Sequence, residues 1–141
     1  MKKLGIYIHI PFCKQKCFYC DFTSYCNKDD LIEKYIKALI KEIKSQNIKP
    51  WITTIYIGGG TPSYIDSKYI KQILQEIKKK NITKNTEITI EVNPGTVTRE
   101  KLKDYKECGI NRLSIGLQSA QDEILKEIGR IHNFEQFLET Y

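Results

Sequence analysis

The chain has 141 residues, of which 40% are hydrophobic and 28% charged, a length and balance that suit one globular domain with a sizeable core. Its net charge of +6 comes mostly from lysines spread along helical segments, which indicates solvated helix faces rather than a nucleic-acid site. No apolar run approaches the roughly 20 residues of a transmembrane helix, and the apolar start runs into cysteines rather than a signal-peptide cleavage site. We expect a cytoplasmic protein, with peripheral membrane association left open.

Strand and helix patterns alternate along the chain. Short β-branched runs predict strands, and apolar residues at helical spacing predict amphipathic helices. Either Asp66 or Ser67 is expected to cap the second helix, and Thr98 to cap the third. The predicted strands are 4–10, 53–58, 87–92 and 111–117, and the predicted helices are 29–46, 67–80, 98–109, 120–130 and one that starts at 133.

Four strand–helix repeats predict an α/β fold of parallel strands joined by right-handed crossovers. Each strand is followed by unusual residues: the cysteine loop, GGGTP, EVNP and GLQS. Because ligands bind at the carboxyl ends of parallel strands, we expect these four segments to meet at one site. A complete eight-stranded barrel needs about 250 residues. We therefore interpret residues 1–141 as a partial TIM-like barrel of about four βα units, the amino-terminal portion of a truncated core domain without a carboxy-terminal domain.

Cys13, Cys17 and Cys20 stand in a CxxxCxxC spacing within the stretch YIHIPFCKQKCFYCDF. The clustering and the odd total of five cysteines favour metal ligation over a disulfide framework. Structural zinc normally takes four protein ligands, and Cys26 is the nearby candidate for a fourth. Three thiolates on an iron–sulfur cubane instead leave one iron open to an exogenous ligand, so the spacing favours a cluster over zinc.

Five motifs together resemble the radical S-adenosylmethionine (SAM) superfamily. They occur in the family's order across nearly the whole chain: HIPFCKQKCFYCDF, GGGTPS, EVNPGT, RLSIGLQS and GRIHN. Within the superfamily they are similar to the branch that contains oxygen-independent coproporphyrinogen III oxidase and the HemW-type heme chaperones.

The resemblance implies a cofactor set and a role for each matching residue. Cys13, Cys17 and Cys20 would hold a 4Fe–4S cluster, and SAM would chelate the fourth iron and be cleaved to a 5′-deoxyadenosyl radical. The implied SAM contacts are Tyr7 at the cluster, Tyr19 beside the adenine, Gly59, Gly60 and Thr61 at the amino group, and Glu91, Gln118 and Arg130 at the ribose, methionyl and carboxylate parts. Residue chemistry agrees, since the Arg130 fork suits a carboxylate and glycines allow close backbone approach.

Phe22 distinguishes the two members of this branch. The oxidases carry a further cysteine two positions after the third, whereas this chain reads CDF with Phe22 there. CDF is typical of HemW-type proteins, so the resemblance implies a heme chaperone, with heme and a heme-receiving protein as further partners. The alternative is the oxidase, which decarboxylates coproporphyrinogen III in porphyrin biosynthesis.

Two other hypotheses come from different classes. One is a truncated module that binds a cluster without radical chemistry, and the other is a zinc-binding structural domain. Cys108 is expected to be a buried small hydrophobe and Cys26 a loop thiol. For His9 and His132 a structural role and a site role stay equally open.

Overall fold

The computed structural model describes residues 2–141, which form four strands and five helices. In chain order these are β1 (Lys3–Ile10), α1 (Ile32–Ser45), β2 (Trp51–Gly59), α2 (Ser67–Ile77), β3 (Ile82–Val92), α3 (Arg99–Glu107), β4 (Arg112–Ile115), α4 (Asp122–Glu127) and α5 (Phe134–Thr140). Short 3₁₀ turns at Asp29–Leu31 and Pro62–Tyr64 precede α1 and α2. No helix within residues 2–141 is both long and apolar enough to cross a bilayer.

The four strands form one parallel sheet in the order β1-β2-β3-β4. Sequential order with right-handed crossovers places the connecting helices on the same side of the sheet. That is the winding of a TIM-like barrel, whereas a doubly wound sheet reverses its strand order at a switch point. The predicted α/β fold with about four parallel βα units is therefore confirmed.

Strand register sorts the side chains into two faces. Ile8 pairs with Ile57, and Ile57 pairs with Ile90, so one row of isoleucines crosses three strands. The neighbouring row is Tyr7, Tyr56 and Thr89, which by strand alternation lies on the opposite face.

The core lies between the isoleucine face and the helices. Ile36 from α1, Leu74 from α2 and Tyr105 from α3 are each almost fully buried against it. Burial raises the pKa of the Tyr105 hydroxyl far above its usual range, so this ring sits in the core as a neutral group. At roughly 25 cal/mol per Å² of apolar surface removed from water, this layer supplies most of the driving force for folding.

Several element boundaries differ from the prediction. Strand β3 begins at Ile82 rather than residue 87, because Ile82 pairs with Ile52 before a register shift carries the polar segment past the sheet. The fourth predicted helix shrinks to six residues, since Gln121 makes no side-chain cap hydrogen bond and Gly129 turns to a positive φ of 78°. The caps agree, as Asp66 accepts from the Lys68 amide and Thr98 from the Lys101 amide.

Candidate functional site at the carboxyl edge of the sheet

A cavity of about 210 Å³ opens where the four strands end. All of the predicted site residues except Tyr7 line it: Cys13, Cys17, Tyr19, Cys20, Gly59, Gly60, Thr61, Glu91, Gln118 and Arg130. The four segments that follow the strands thus meet at one site, as the topology predicted.

Tyr7 lies outside the cavity, on the open face of the sheet. Its ring stacks on Tyr56 with centroids 6.2 Å apart, and its hydroxyl lies 3.0 Å from His9 Nδ1. Burial and the nearby Glu91 carboxylate raise the pKa of the Tyr7 hydroxyl, so it is neutral near pH 7. Its distance from the carboxyl edge explains the position, because Tyr7 lies three residues before the end of β1, whereas Glu91 lies one residue before the end of β3.

The cysteine loop is closed at its base by backbone pairing. The Tyr25 amide donates to the Pro11 carbonyl at 2.8 Å, and the Cys13 amide donates to the Tyr25 carbonyl at 3.0 Å. His9 adds a side-chain tie, with Nε2 2.7 Å from the Thr23 carbonyl oxygen. Since a carbonyl only accepts, Nε2 carries the proton, and Nδ1 is left to accept from the Tyr7 hydroxyl. His9 therefore holds the returning arm of the loop to β1.

The three thiols differ in exposure but share the cavity. Cys13 is buried, Cys17 and Cys20 are half-buried, and all three are free. Within residues 2–141, no three His, Cys, Asp or Glu side chains converge closely enough to hold a single metal ion. A cubane does not need such convergence, because each of its thiolates binds a different iron.

Glycines bring the β2 backbone against the cysteine loop. A Cβ atom at Gly60 would lie 2.9 Å from Cys13 Sγ, and one at Gly59 would lie 2.7 Å from His9 Nδ1. Gly59 also has a φ of 119°, which side-chain-bearing residues rarely adopt. The Gly60 amide donates to the Ile10 carbonyl and the Thr61 amide to the Phe12 carbonyl, both at 2.8 Å. These hydrogen bonds hold the GGGT segment against residues 10–12, which lead into the cysteine loop.

Glu91 is held in place from two sides. The Tyr56 hydroxyl donates to Oε1 at 2.7 Å, and the Gly59 amide donates to Oε2 at 3.1 Å. Burial and this bond to a carboxylate raise the pKa of Tyr56. The carboxylate oxygens have lone pairs left over for hydroxyl or amine groups in the cavity.

Arg130 reaches the cavity from the loop after α4. Its Nη2 donates to the Gly116 carbonyl at 2.8 Å and to Asn93 Oδ1 at 3.0 Å, while Nη1 points towards Tyr19 and Cys17 at 3.5 and 3.6 Å. Nε is buried and has no hydrogen-bond partner among residues 2–141. A half-buried guanidinium with an unused donor is suited to bind an anionic group.

Tyr19 and Gln118 complete the rim of the cavity. Burial raises the pKa of the Tyr19 hydroxyl and the Arg130 charge opposes that rise, while half of the Tyr19 residue surface stays exposed. Gln118 adopts a positive φ of 70°, which is uncommon for a residue other than glycine and typical of functional loops.

Three polar residues at the site had no predicted role, although two lie within quoted motifs. Asn93 accepts from Arg130 and donates to Thr61 Oγ1 at 3.1 Å. The Asn93 amide donates to Ser63 Oγ at 3.1 Å, and Lys101 Nζ donates to the Ser63 carbonyl. Burial lowers the pKa of Lys101. The EVNPGT and GGGTPS motifs were the signal for Asn93 and Ser63.

The two remaining cysteines and His132 do not line the cavity. Cys108 is buried in the core, as predicted, and its thiol donates to the Tyr105 carbonyl at 3.2 Å. Cys26 is half-buried and does not line the cavity; burial raises its pKa, and the nearby Cys13 thiol adds to the rise. His132 is buried with Nε2 3.2 Å from the Leu117 carbonyl, and burial lowers its pKa.

Comparison with known proteins identifies the family. The model of the Radical SAM superfamily matches residues 7–141. The heme chaperone HemW of Haemophilus influenzae is 47% identical over 139 residues, and that of Escherichia coli is 41% identical over 135 residues; each alignment covers 92% of this chain. The solved structure of E. coli coproporphyrinogen III oxidase (HemN), described as a radical SAM enzyme, matches 98% of the chain with a TM-score of 0.90 and 26% identity.

These matches cover only part of each relative. The alignments take in 36% and 35% of the two HemW chains and 33% of the HemN chain. The chain therefore spans about a third of the length of the relatives it matches.

Proposed function

The chain belongs to the radical SAM superfamily, and we propose that its cysteine loop holds a 4Fe–4S cluster to which SAM binds, in a protein of the heme chaperone branch. One observation carries the proposal. Three free thiols, the Gly59–Gly60–Thr61 segment and the half-buried Arg130 guanidinium line the same cavity at the carboxyl edge of a parallel sheet. A soft three-thiolate set with an anion-binding cation beside it suits a cluster with one open iron and a zwitterionic ligand.

The residues present fit a cluster. Cys13, Cys17 and Cys20 are the proposed ligands, one to each of three irons. Gly60 leaves the space next to Cys13 Sγ that any side chain would fill. The Thr61 hydroxyl donates to Cys13 Sγ at 3.4 Å, and hydrogen bonds to ligand sulfurs tune the reduction potential of such clusters.

The residues also fit SAM. Arg130 would bind the carboxylate of SAM, because its buried Nε still lacks a partner among residues 2–141. Glu91 would accept hydrogen bonds from the ligand's hydroxyl or amino groups, since Tyr56 and Gly59 fix it without using all its lone pairs. Tyr19 offers an exposed ring for the adenine, and Gly59, Gly60, Thr61 and Gln118 would supply the remaining contacts. Tyr7 would act from farther down the open face, outside the residues that line the cavity.

The cofactors supply the reactive chemistry, namely an electron from the reduced cluster that cleaves a carbon–sulfur bond of SAM. The protein binds the cofactors, orients them and shields them from water. His9 and the Pro11–Tyr25 pairing keep the loop closed on the sheet, and Tyr7, Tyr56 and Tyr19 stay protonated at neutral pH because their pKa values are raised. They can therefore donate hydrogen bonds without adding negative charge at the site.

We assign the chain to the heme chaperone branch of the family. The HemW proteins are similar along 92% of the chain, and Phe22 lines the cavity where the oxidases carry a further cysteine. Heme and a heme-receiving protein are the proposed partners, in the reducing cytoplasm that an oxygen-sensitive cluster requires, with no nucleic-acid partner. The second candidate is coproporphyrinogen III oxidase activity, which the TM-score of 0.90 to HemN favours.

We further propose that residues 1–141 correspond to the first four βα units of a radical SAM barrel. The support is the unbroken β1-β2-β3-β4 order with the cysteine loop after the first strand. Production of 5′-deoxyadenosine after reduction would show that these units carry radical chemistry and would reject the hypothesis of an inactive cluster-binding module.

Retention of radiolabelled SAM tests the proposal. The chain is reconstituted anaerobically with iron and sulfide, and bound SAM is measured by equilibrium dialysis. We expect saturable binding that disappears in Cys17→Ala and persists in Cys26→Ala, the matched control, because Cys26 does not line the cavity. Equal binding by Cys17→Ala would contradict a cluster-dependent SAM site. Titration with heme, followed by its absorption, tests the chaperone assignment separately.

A further inference from the structure

We propose that Asn93 is a positioning residue of the site, whose carboxamide orients the Arg130 guanidinium at one end and the Thr61 hydroxyl at the other. Thr61 in turn donates to Cys13, so a directed chain of hydrogen bonds joins the proposed carboxylate-binding group to a proposed cluster ligand. This inference rests on the proposed function and adds a residue that sets the properties of both cofactors.

The backbone of Asn93 is fixed from both sides. Its amide donates to Ser63 Oγ at 3.1 Å, and its carbonyl accepts from Thr96 Oγ1. Lys101, on α3, donates to the carbonyls of Ser63 and Thr96 and so ties the two loops that flank Asn93. The side chain of Asn93 therefore leaves an anchored backbone and points into the cavity.

Arg130 determines which way the Asn93 amide faces. A guanidinium only donates, so the group 3.0 Å from Arg130 Nη2 must be the Asn93 oxygen. The NH₂ group then faces Thr61 Oγ1, at 3.1 Å. An asparagine with one end fixed by a cation cannot flip without losing both bonds.

The same logic sets the direction of the Thr61 hydroxyl. Because Thr61 Oγ1 accepts from Asn93, its own proton is free to point to Cys13 Sγ, 3.4 Å away. Cys13 is the most buried of the three proposed ligands and Thr61 is also buried, so water does not compete for this bond. Hydrogen bonds in a chain of this kind polarise one another in a low-dielectric surrounding.

Two consequences follow for the loaded protein. A hydrogen-bond donor on a ligand sulfur stabilises the more negative, reduced cluster. The series of hydrogen bonds from Asn93 through Thr61 to Cys13 therefore raises the reduction potential of the cluster. Asn93 also keeps Nη2 of Arg130 engaged and so holds the guanidinium plane in place, with Nη1 towards Tyr19 and Cys17. Loss of Asn93 should lower the potential and weaken SAM binding together.

The first arm of the test uses the cluster-free chain. Nuclear magnetic resonance of the ¹⁵N-labelled protein measures hydrogen exchange of the Asn93 side-chain amide. We expect slow exchange in the wild type, and a shifted, faster-exchanging signal in Thr61→Val. Exchange as fast as that of a solvent-exposed asparagine would overturn the proposal whether or not the chain takes up a cluster.

The second arm uses the reconstituted chain without SAM and a double-mutant cycle. Asn93→Leu and Thr61→Val should each lower the equilibrium constant for cluster reduction about tenfold, which is 59 mV for one electron. Because both act through one chain of hydrogen bonds, the double variant should match the single variants. Additive effects, or an unchanged potential in Asn93→Leu, would overturn the proposal.

SAM affinity and a control variant complete the design. Asn93→Leu should raise the SAM Kd on the order of tenfold, the loss expected for a bond that orients a charged group. Asn111→Leu is the control, since that carboxamide bridges the Thr86 carbonyl and the Ile88 amide away from the cavity; it should leave potential and Kd unchanged, and an equal shift would overturn the proposal.

Asn93→Asp covers the case in which Asn93→Leu fails to fold. It keeps an acceptor for Arg130 and removes the donor to Thr61, so the Thr61 proton turns to the new carboxylate and the potential should still fall. An unchanged potential in this variant would overturn the proposal. A wild-type chain with the expected amide exchange but no cluster uptake would instead contradict the proposed function.

Discussion

The two faces of β3 show how differently neighbouring residues serve this protein. Ile90 points into the helix-covered layer, where it is fully buried among other isoleucines. Glu91, the next residue, points to the other side and lines the cavity. Its carboxylate accepts hydrogen bonds from the Tyr56 hydroxyl and the Gly59 amide. One face is continuous and apolar, and the other is polar and leads to the carboxyl edge.

The difference separates stability from chemistry. The isoleucine layer gains free energy from apolar surface removed from water and needs no specific partner beyond a close fit. The carboxyl edge instead depends on directed contacts, such as the Tyr56–Glu91 and Arg130–Asn93 hydrogen bonds, which fix geometry and add little net stability each. Substitutions in the isoleucine layer should therefore lower the stability of the fold, and substitutions at the carboxyl edge should lower ligand binding.

The largest effect is expected on the apolar side. Ile90→Ala should lower the free energy of unfolding by about 2–5 kcal/mol, because it leaves a cavity in a fully buried layer. Denaturant unfolding of the cluster-free chain measures this loss. At temperatures where the variant is folded, its SAM affinity after reconstitution should equal that of the wild type. A loss of affinity as large as that expected for a substitution at the carboxyl edge would contradict the assignment of stability to one face and ligand binding to the other.

A glycine at the junction of the two regions should affect both. Gly59→Ala places a methyl group 2.7 Å from His9 Nδ1 at a φ of 119°, which costs on the order of 1–3 kcal/mol in strain. Displacing His9 also loosens its tie to Thr23, so cluster uptake should fall several-fold. Unfolding curves and iron content are the measurements, and normal iron content in a destabilised variant would show that His9 does not support the loop.

Glu91→Gln tests the polar side with little change of shape. Its amide nitrogen would face the Gly59 amide and lose that bond, so the free energy of unfolding should fall by only about 1 kcal/mol. SAM affinity should fall on the order of tenfold, since the ligand loses a charged acceptor. Dialysis with labelled SAM checks this. If Glu91→Gln lost as much stability as Ile90→Ala and kept normal SAM affinity, Glu91 would be a structural residue rather than a ligand-binding one.

The smallest effect is a dependence on pH at the edge. Burial lowers the pKa of His132 below its usual value of 6.5, so the unfolded chain binds the proton more readily than the folded one. The stability that depends on neutral His132 is fully present above about pH 6.5 and is lost as pH falls from there through the lower folded pKa. Unfolding of wild type and His132→Gln at pH 5 and 7.5 should show a smaller pH dependence in the variant; identical slopes would contradict this.

The fold was largely predictable from the sequence. Alternation of β-branched runs with amphipathic segments determined the element order and parallel sheet, and Asp66 and Thr98 provided recognisable caps. The start of β3 was not predictable, because Ile82 joins the sheet through a tertiary pairing with Ile52 across a register shift.

The location of the site was predictable from the sequence, but most of the hydrogen bonds between its residues were not. Residues at the carboxyl ends of strands or just after them meet at one edge of the sheet, which is why Glu91, Thr61 and the cysteines line one cavity. The partners of Asn93 were not predictable, since a carboxamide can pair with many groups and only the folded geometry selects among them. Tyr7 lies three residues before the end of β1, too far from the carboxyl edge to line the cavity.

Metal and sulfide content of the anaerobically reconstituted chain, combined with electron paramagnetic resonance of the reduced protein, tests the central claim most directly. We predict about four irons and four sulfides per chain, lost in Cys13→Ala, Cys17→Ala and Cys20→Ala but kept in Cys26→Ala, with a spectrum that changes when SAM is added. A single zinc per chain that depends on Cys26, or a cluster whose spectrum SAM leaves unchanged, would contradict a three-thiolate cluster with an open iron.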